Sequence, residues 1–252
     1  MSKFTDNEIS RLIEQALDTV AEVPKEQFSG DPIDDPNNPD VPKGGRWGIT
    51  GMGQTPEMFR TRVGSPGLNK SPSGKIKGPE VNALVKRMAD VNPDEVIAYS
   101  RGAALYNLAV SQGAKPTQVT YMAPSSYRAW AGRPADVPPA PAGSKVTIGD
   151  EDPVVPMKQA AKNAVAAGTP MYVLPGFSHT GIMYSRGDVT PGGFEVDPEE
   201  ILADPEMPDW GATGSAAGGK SGEVMTKQRE RVKQHVKERK MIEDFVKILL
   251  SR

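Results

Sequence analysis

Cysteine is absent from the 252 residues, which removes disulfides, thiolate nucleophiles and sulfur-ligated zinc together. Histidine is nearly absent too: only His179 and His235 occur, so any imidazole chemistry rests on one of them. No segment approaches the roughly 18 to 20 apolar residues that a bilayer span needs. The opening stretch MSKFTDNEIS has no apolar centre of the kind a signal peptide carries, so a cytoplasmic or otherwise soluble chain is expected. An excess of positive charge is also missing. A formal net charge of −2 gives no reason to expect nucleic acid as a partner, which leaves a small molecule or another protein.

What is abundant is glycine and proline, 26 and 24 residues, beside a hydrophobic content of only 37%. That balance predicts a compact centre with long irregular excursions. Thr5 and Glu8 form a capping box ahead of Ile9, Leu12, Ile13, Ala16, Leu17 and Val20, which predicts an amphipathic helix over 6–22. The Pro- and Asp-rich stretch GDPIDDPNNPDVPKGG then reads as an arm, so residues 1–45 are set apart from a core over 46–184. An irregular linker over 185–222, with one short turn near 198–203, and a charged helix over 223–252 complete the chain. Val232, Val236, Ile242, Val246 and Leu249 form the apolar stripe of that helix. It carries nine Lys or Arg against five Asp or Glu, and packing on its own domain or on a sister subunit is the expected use.

The core alternates. RWGIT (46–50), VIAY (96–99), QVTYMA (118–123), KVTIG (145–149) and MYVLP (171–175) read as short buried strands, with helical patterns over 79–90, 101–112 and 157–167 between several of them. Strand and helix in alternation predict an α/β fold, a mostly parallel sheet with helices on both faces. Ligands of such sheets bind beyond the carboxyl ends of the strands.

One of those ends carries an isolated hydroxyl. In AYSRG, Ser100 stands between a strand and a helix, with the small residues Ala98 and Gly102 two positions to either side. A sharp strand-to-helix turn lifts such a hydroxyl out of the sheet and aims the next amide at a developing oxyanion, and it crowds those flanking positions. Here the chain resembles the α/β-hydrolase superfamily, whose nucleophile elbow is usually written G-x-S-x-G, with alanine replacing the first glycine. Two later stretches extend the resemblance. TIGDEDPVVP (147–156) puts carboxylates just beyond one strand and YVLPGFSHTG (172–181) puts His179 just beyond the next, in the superfamily's order of serine, aspartate, histidine.

The resemblance implies acyl transfer on an ester or thioester, with Ser100 as nucleophile, His179 as base and Asp152 orienting the imidazole. Asp152 is preferred to Asp150 because the aspartate before Pro-Val fills that place in similar esterase and thioesterase sequences. Asp150 or Glu151 is then expected to cap the helix beginning near Pro156. His235, among charged residues, is expected to face solvent. The oxyanion hole implied combines the backbone N–H of Arg101 with that of Met52, or next of Gly53, in the turn ITGMGQ. Only residues 124–144 fill the place where a lid is often found, so the lid is minimal. Tyr127, Trp130 and Tyr106 are candidates to line a shallow pocket for a small or lipid-like acyl substrate.

No cofactor or metal is implied. GSAAGGKS (214–221) matches the phosphate-binding G-x-x-x-x-G-K-S pattern, but no buried strand precedes it and no strand follows, so it reads as a flexible linker. The competing expectation is a hydrolase-like fold kept as a scaffold, its chemistry weak or lost, that assembles through 223–252.

Overall fold

This computed structural model describes residues 43–71, 74–125, 139–189, 192–209 and 221–250, which hold six strands and six α-helices. All belong to the compact unit Pro42–Arg252. Strands β1 (Arg46–Ile49), β2 (Glu95–Tyr99), β3 (Gln118–Met122), β4 (Lys145–Gly149) and β5 (Met171–Leu174) lie side by side in chain order, all parallel. Strand β6 (Phe194–Val196) adds an antiparallel edge. All five predicted strands are present, and the α/β class is as expected.

Helix α1 (Pro56–Val63) was not foreseen. Its sequence PEMFRTRV buries only Phe59 and Val63, too few apolar residues to make a periodic signal. Local chemistry starts and stops it: Thr55 Oγ1 accepts the Met58 amide, proline opens the first turn, and Gly64 closes the helix in the left-handed region. Helix α2 (Gly78–Val91) buries Val81, Leu84, Met88 and Val91 at helical spacing. Helix α3 (Arg101–Ser111) is buried continuously from Arg101 to Ala109. Helix α4 (Met157–Ala167) packs through Ala160, Ala161, Ala164 and Ala167, whose small side chains allow close approach.

Alternation along the strands divides these elements between two faces. Ile97 and Tyr99 of β2 and Met122 of β3 cluster with Phe59 and Val63 of α1 and with Ile182 and Met183. On the opposite face, Tyr121 of β3 meets Tyr106 of α3 edge to face, with ring centroids 6.0 Å apart. Tyr106 therefore lies in the core rather than in a pocket, and its hydroxyl both donates to the Thr117 carbonyl and accepts the Thr117 amide.

Beyond β1 the chain turns back along the sheet edge. A single parallel bridge pairs Gly48 with Gly67, fixed by Gly48 N–H to Pro66 O and Leu68 N–H to Gly48 O, each 2.7 Å. This stub of a strand delivers Asn69 and Ser71 to the carboxyl end of β1.

The expectation of an irregular 185–222 is corrected for its described part. A 3₁₀ turn, Gly181–Ser185, follows His179 at once and plugs Ile182 and Met183 into the core. Beyond residue 185 come β6 and helix α5 (Pro198–Ala203), capped by Asp197 Oδ1 on the Glu199 amide. Helix α6 (Ser221–Leu250) is docked through its first half. Gln228 is fully buried, accepts the Met157 amide and donates to Asp150 O; Val232 is buried beside it, and Arg229 pairs with Glu151. Further along, Met241 and Phe245 are 63% and 62% exposed. Among the described residues no helix is long and apolar enough to cross a membrane. The predicted 6–22 helix, the arm up to residue 42, the pocket candidates Tyr127 and Trp130, and residues 214–220 lie outside the described residues.

Candidate functional site at the carboxyl ends of the strands

Strand β2 ends at Tyr99, helix α3 begins at Arg101, and Ser100 makes the corner between them with φ 51° and ψ −117°. A non-glycine residue in that region is strained and persists only where its surroundings fix it. The Ser100 amide donates to Met122 O of β3 at 2.9 Å, and its carbonyl accepts Ala103 N–H at 3.1 Å. The crowding expected around the turn is severe: a Cβ on Gly102 would stand 2.3 Å from Ile49 O and 2.8 Å from Thr50 O. Glycine is the residue that lets α3 start against the end of β1.

Strand β4 ends at Gly149, and the turn after it carries Asp150, Glu151 and Asp152. Asp152 is fully buried. Its Oδ1 accepts the amides of Val154 and Val155, each at 2.8 Å, and its Oδ2 accepts from His179 Nδ1 at 2.7 Å. Three donors on one carboxylate fix its orientation. Asp150 does not cap α4, whose N-cap residue Pro156 has no side-chain cap. Its Oδ1 accepts the Gly176 amide at 2.7 Å instead, tying this turn to the one that leads to His179. The same two turns touch where a Cβ on Gly149 would fall 1.8 Å from Phe177 O.

His179 follows β5 on that second turn, and its Nε2 lies 3.0 Å from Ser100 Oγ. With Nδ1–H donating to Asp152, Nε2 is left as acceptor for the Ser100 hydroxyl. Serine, imidazole and carboxylate from three strand ends therefore form one hydrogen-bonded row. The Tyr99 ring packs beside the imidazole with centroids 5.2 Å apart, and its hydroxyl donates to the His179 carbonyl at 2.9 Å. Burial, aided by the Asp152 charge, pushes the Tyr99 phenol well above its ordinary value, so it remains a neutral donor.

The loop after β1 passes over Ser100: a Cβ on Gly51 would meet Tyr99 Cδ1 at 2.6 Å and Ser100 Cβ at 3.3 Å. Its amides are allotted unequally. Gly51 N–H donates to Gln54 Oε1, and Gly53 N–H donates to Ser71 O at 2.9 Å, so Gly53 is withdrawn as an oxyanion candidate. The Met52 amide has no hydrogen-bond partner among the described residues, and the residue is 51% exposed. Arg101 opens α3 directly after Ser100.

Residues that carried no sequence signal hold this loop. Asn69 Oδ1 accepts Thr50 N–H at 2.9 Å, Thr50 Oγ1 donates to Asn69 O, and Gln54 Nε2 donates to Met183 Sδ, linking the loop to the 3₁₀ turn after His179. Nothing in LNKS or in Gln54 announces these roles, which arise only when the rudimentary edge strand is in place.

His235 departs from the expectation of a solvent-facing side chain. It is mostly buried, and Nε2 lies 3.0 Å from Asp204 Oδ2, beside the Arg231 guanidinium at 2.8 Å from the same oxygen. Burial works to raise the Asp204 carboxyl, but hydrogen bonds from Arg231, the Glu206 amide and His235 outweigh it and hold the group well below the usual carboxylate range. A cleft of about 900 Å³ opens here, walled by Glu195, Asp197, Glu200, Arg231 and His235 among others; Ser100, Asp152 and His179 are not part of its wall. Among the described residues no group of three or more His, Asp or Glu is placed to hold a metal ion.

No protein-family model matches the chain, and neither does any curated protein. Solved structures similar to it include a candidate YdeN-like hydrolase from Pectobacterium atrosepticum, at 15% identity and a TM-score of 0.45, over 55% of this chain and 80% of that one. A likeness that slight has no bearing on the chemistry of the site.

Proposed function

We propose that the protein is a serine hydrolase that cleaves an ester or thioester of a small or lipid-like acyl group through an acyl-enzyme. The observation that carries this reading is the row Ser100 Oγ, His179 Nε2, His179 Nδ1 and Asp152 Oδ2, at 3.0 and 2.7 Å, with the serine on a strained strand-to-helix corner. A hydroxyl so placed loses its proton to Nε2 as Oγ attacks the substrate carbonyl. Asp152 keeps Nδ1 protonated and stabilises the imidazolium that forms. The tetrahedral oxyanion is received by the N–H groups of Met52 and Arg101, each worth about 3 kcal/mol of barrier in such sites. His179 returns the proton to the leaving alcohol or thiol, and water, deprotonated by the same nitrogen, then releases the acid.

Incubation with a fluorophosphonate, followed by peptide mass analysis, tests this assignment. A single adduct on Ser100, absent from Ser100→Ala, is the expected result. Folded wild-type protein that takes up no probe speaks for the scaffold reading instead.

A further inference from the structure

We propose that the Arg101 side chain, paired with Glu80 and bonded to Ser71, is a positioning device that fixes the distance between the two oxyanion amides. The inference rests on the serine hydrolase reading and concerns residues that take no part in proton transfer. The guanidinium is fully buried. It donates through Nη1 and Nη2 to the two Glu80 carboxylate oxygens at 2.5 and 2.7 Å, through Nη1 to Ser71 Oγ at 2.9 Å, and through Nε to Gly74 O at 3.0 Å.

A buried ion pair of this kind is weak evidence for stability, since apolar residues of similar volume often serve a core as well or better. What it does supply is geometry. The planar fork of arginine fixes direction as well as distance, which a lysine cannot reproduce. Ser71 is held by Arg101 through its hydroxyl, while its backbone accepts Gly53 N–H at 2.9 Å and donates to Gln54 O at 3.2 Å. Met52 stands between Gly51 and Gly53 on that loop. The amide of Arg101 and the amide of Met52 therefore belong to two segments joined across the site by one serine. Glu80, in the first turn of α2, holds the guanidinium from behind, where its negative charge also suits the helix N-terminus.

Oxyanion stabilisation depends on donors that are already in position when charge develops, so loosening this strap should lower kcat and leave ground-state binding alone. The experiment compares wild type with Ser71→Ala, Arg101→Lys and Glu80→Gln on a p-nitrophenyl ester. Affinity for a trifluoromethyl ketone, which forms an oxyanion on Ser100, is measured alongside. The expected result is a fall in kcat of about tenfold or more with KM within about twofold, and a matching loss of ketone affinity in all three variants. Ser71→Ala removes one hydroxyl from a folded loop, so it decides the question if the buried pair variants prove unstable. Retention of kcat and ketone affinity within about twofold in Ser71→Ala, or a loss confined to KM, overturns the positioning role while wild-type labelling of Ser100 stands. A wild type that the fluorophosphonate does not label at all overturns the hydrolase reading, and this inference with it.

Discussion

The hydroxyl of Tyr99, the residue before Ser100, donates to the backbone carbonyl of His179 at 2.9 Å. The corner at Ser100 is thereby tied to the segment that carries His179, across 80 residues of sequence. Gly51 makes room for this arrangement, because any side chain there would collide with the Tyr99 ring. Tyr99→Phe keeps the ring against the imidazole and loses only the hydrogen bond, worth about 1 kcal/mol. The expected outcome is a drop in kcat of roughly fivefold with Tm lowered by only about 2–4 °C, read from steady-state hydrolysis of an aryl ester and a thermal melt.

Asp152→Asn is expected to be far more damaging to activity than to folding. The Asn Oδ1 can still accept the amides of Val154 and Val155, which now bond Asp152 Oδ1. That leaves an NH₂ facing His179 Nδ1, so the proton moves to Nε2, which then no longer accepts from Ser100. Turnover should fall by about 10⁴ with the melting curve nearly unchanged. An equal loss of stability and activity would mean that the carboxylate acts only as a turn-former.

Glycine substitutions separate close approach from spare space. Gly102→Ala drives a Cβ against Ile49 O and Gly149→Ala drives one against Phe177 O, both backbone atoms. Each should cost on the order of 1–3 kcal/mol of stability and displace Ser100 or His179, slowing fluorophosphonate labelling. Gly78→Ala, whose added methyl meets no atom within 4 Å beyond its chain neighbours and its own helix, is the control; Tm should shift by no more than a few degrees and the labelling rate should not change.

Docking of α6 should depend on acid. The Asp204 carboxyl is held below its ordinary value by Arg231, the Glu206 amide and His235 against the cost of its burial. A group depressed in the folded state stabilises it fully above the unfolded carboxyl's pKa, near 4. That contribution is lost as pH falls through the lower folded value. The Tm difference between wild type and Asp204→Asn should therefore be full at neutral pH and shrink below about pH 4. A difference that stays constant down to pH 2 would mean that the charge of Asp204 is not what retains the helix.

Much of the sheet was readable because buried parallel strands are short runs of β-branched and apolar residues between turn signals, as in VIAY and KVTIG. Strand β6 was not, since Phe194–Val196 is only three residues long and owes its form to pairing with β5 at the edge. Helix α1 depends on caps at Thr55 and Gly64 rather than on an apolar stripe. At the site, Ser100 drew notice because it stands at the corner between a strand and a helix, and His179 because the chain has only one other histidine, whereas Asp152 was preferred to Asp150 on a resemblance alone. Met52 could be placed ahead of Gly53 but Gly53 could not be set aside, because that turns on where Ser71 O lies, which is set by an edge segment with no pattern of its own. His235 misled for a related reason: the charged letters around it do not reveal that Asp204 comes to meet them.

The acyl-enzyme itself offers the most direct test. Wild type and Ser100→Ala are mixed with a p-nitrophenyl ester, quenched in acid within the first turnover, and weighed intact and as peptides. One acyl mass on the peptide holding Ser100, and none in the variant, is the expected result. Hydrolysis that persists undiminished in Ser100→Ala, or an acyl group found on another residue, would contradict it.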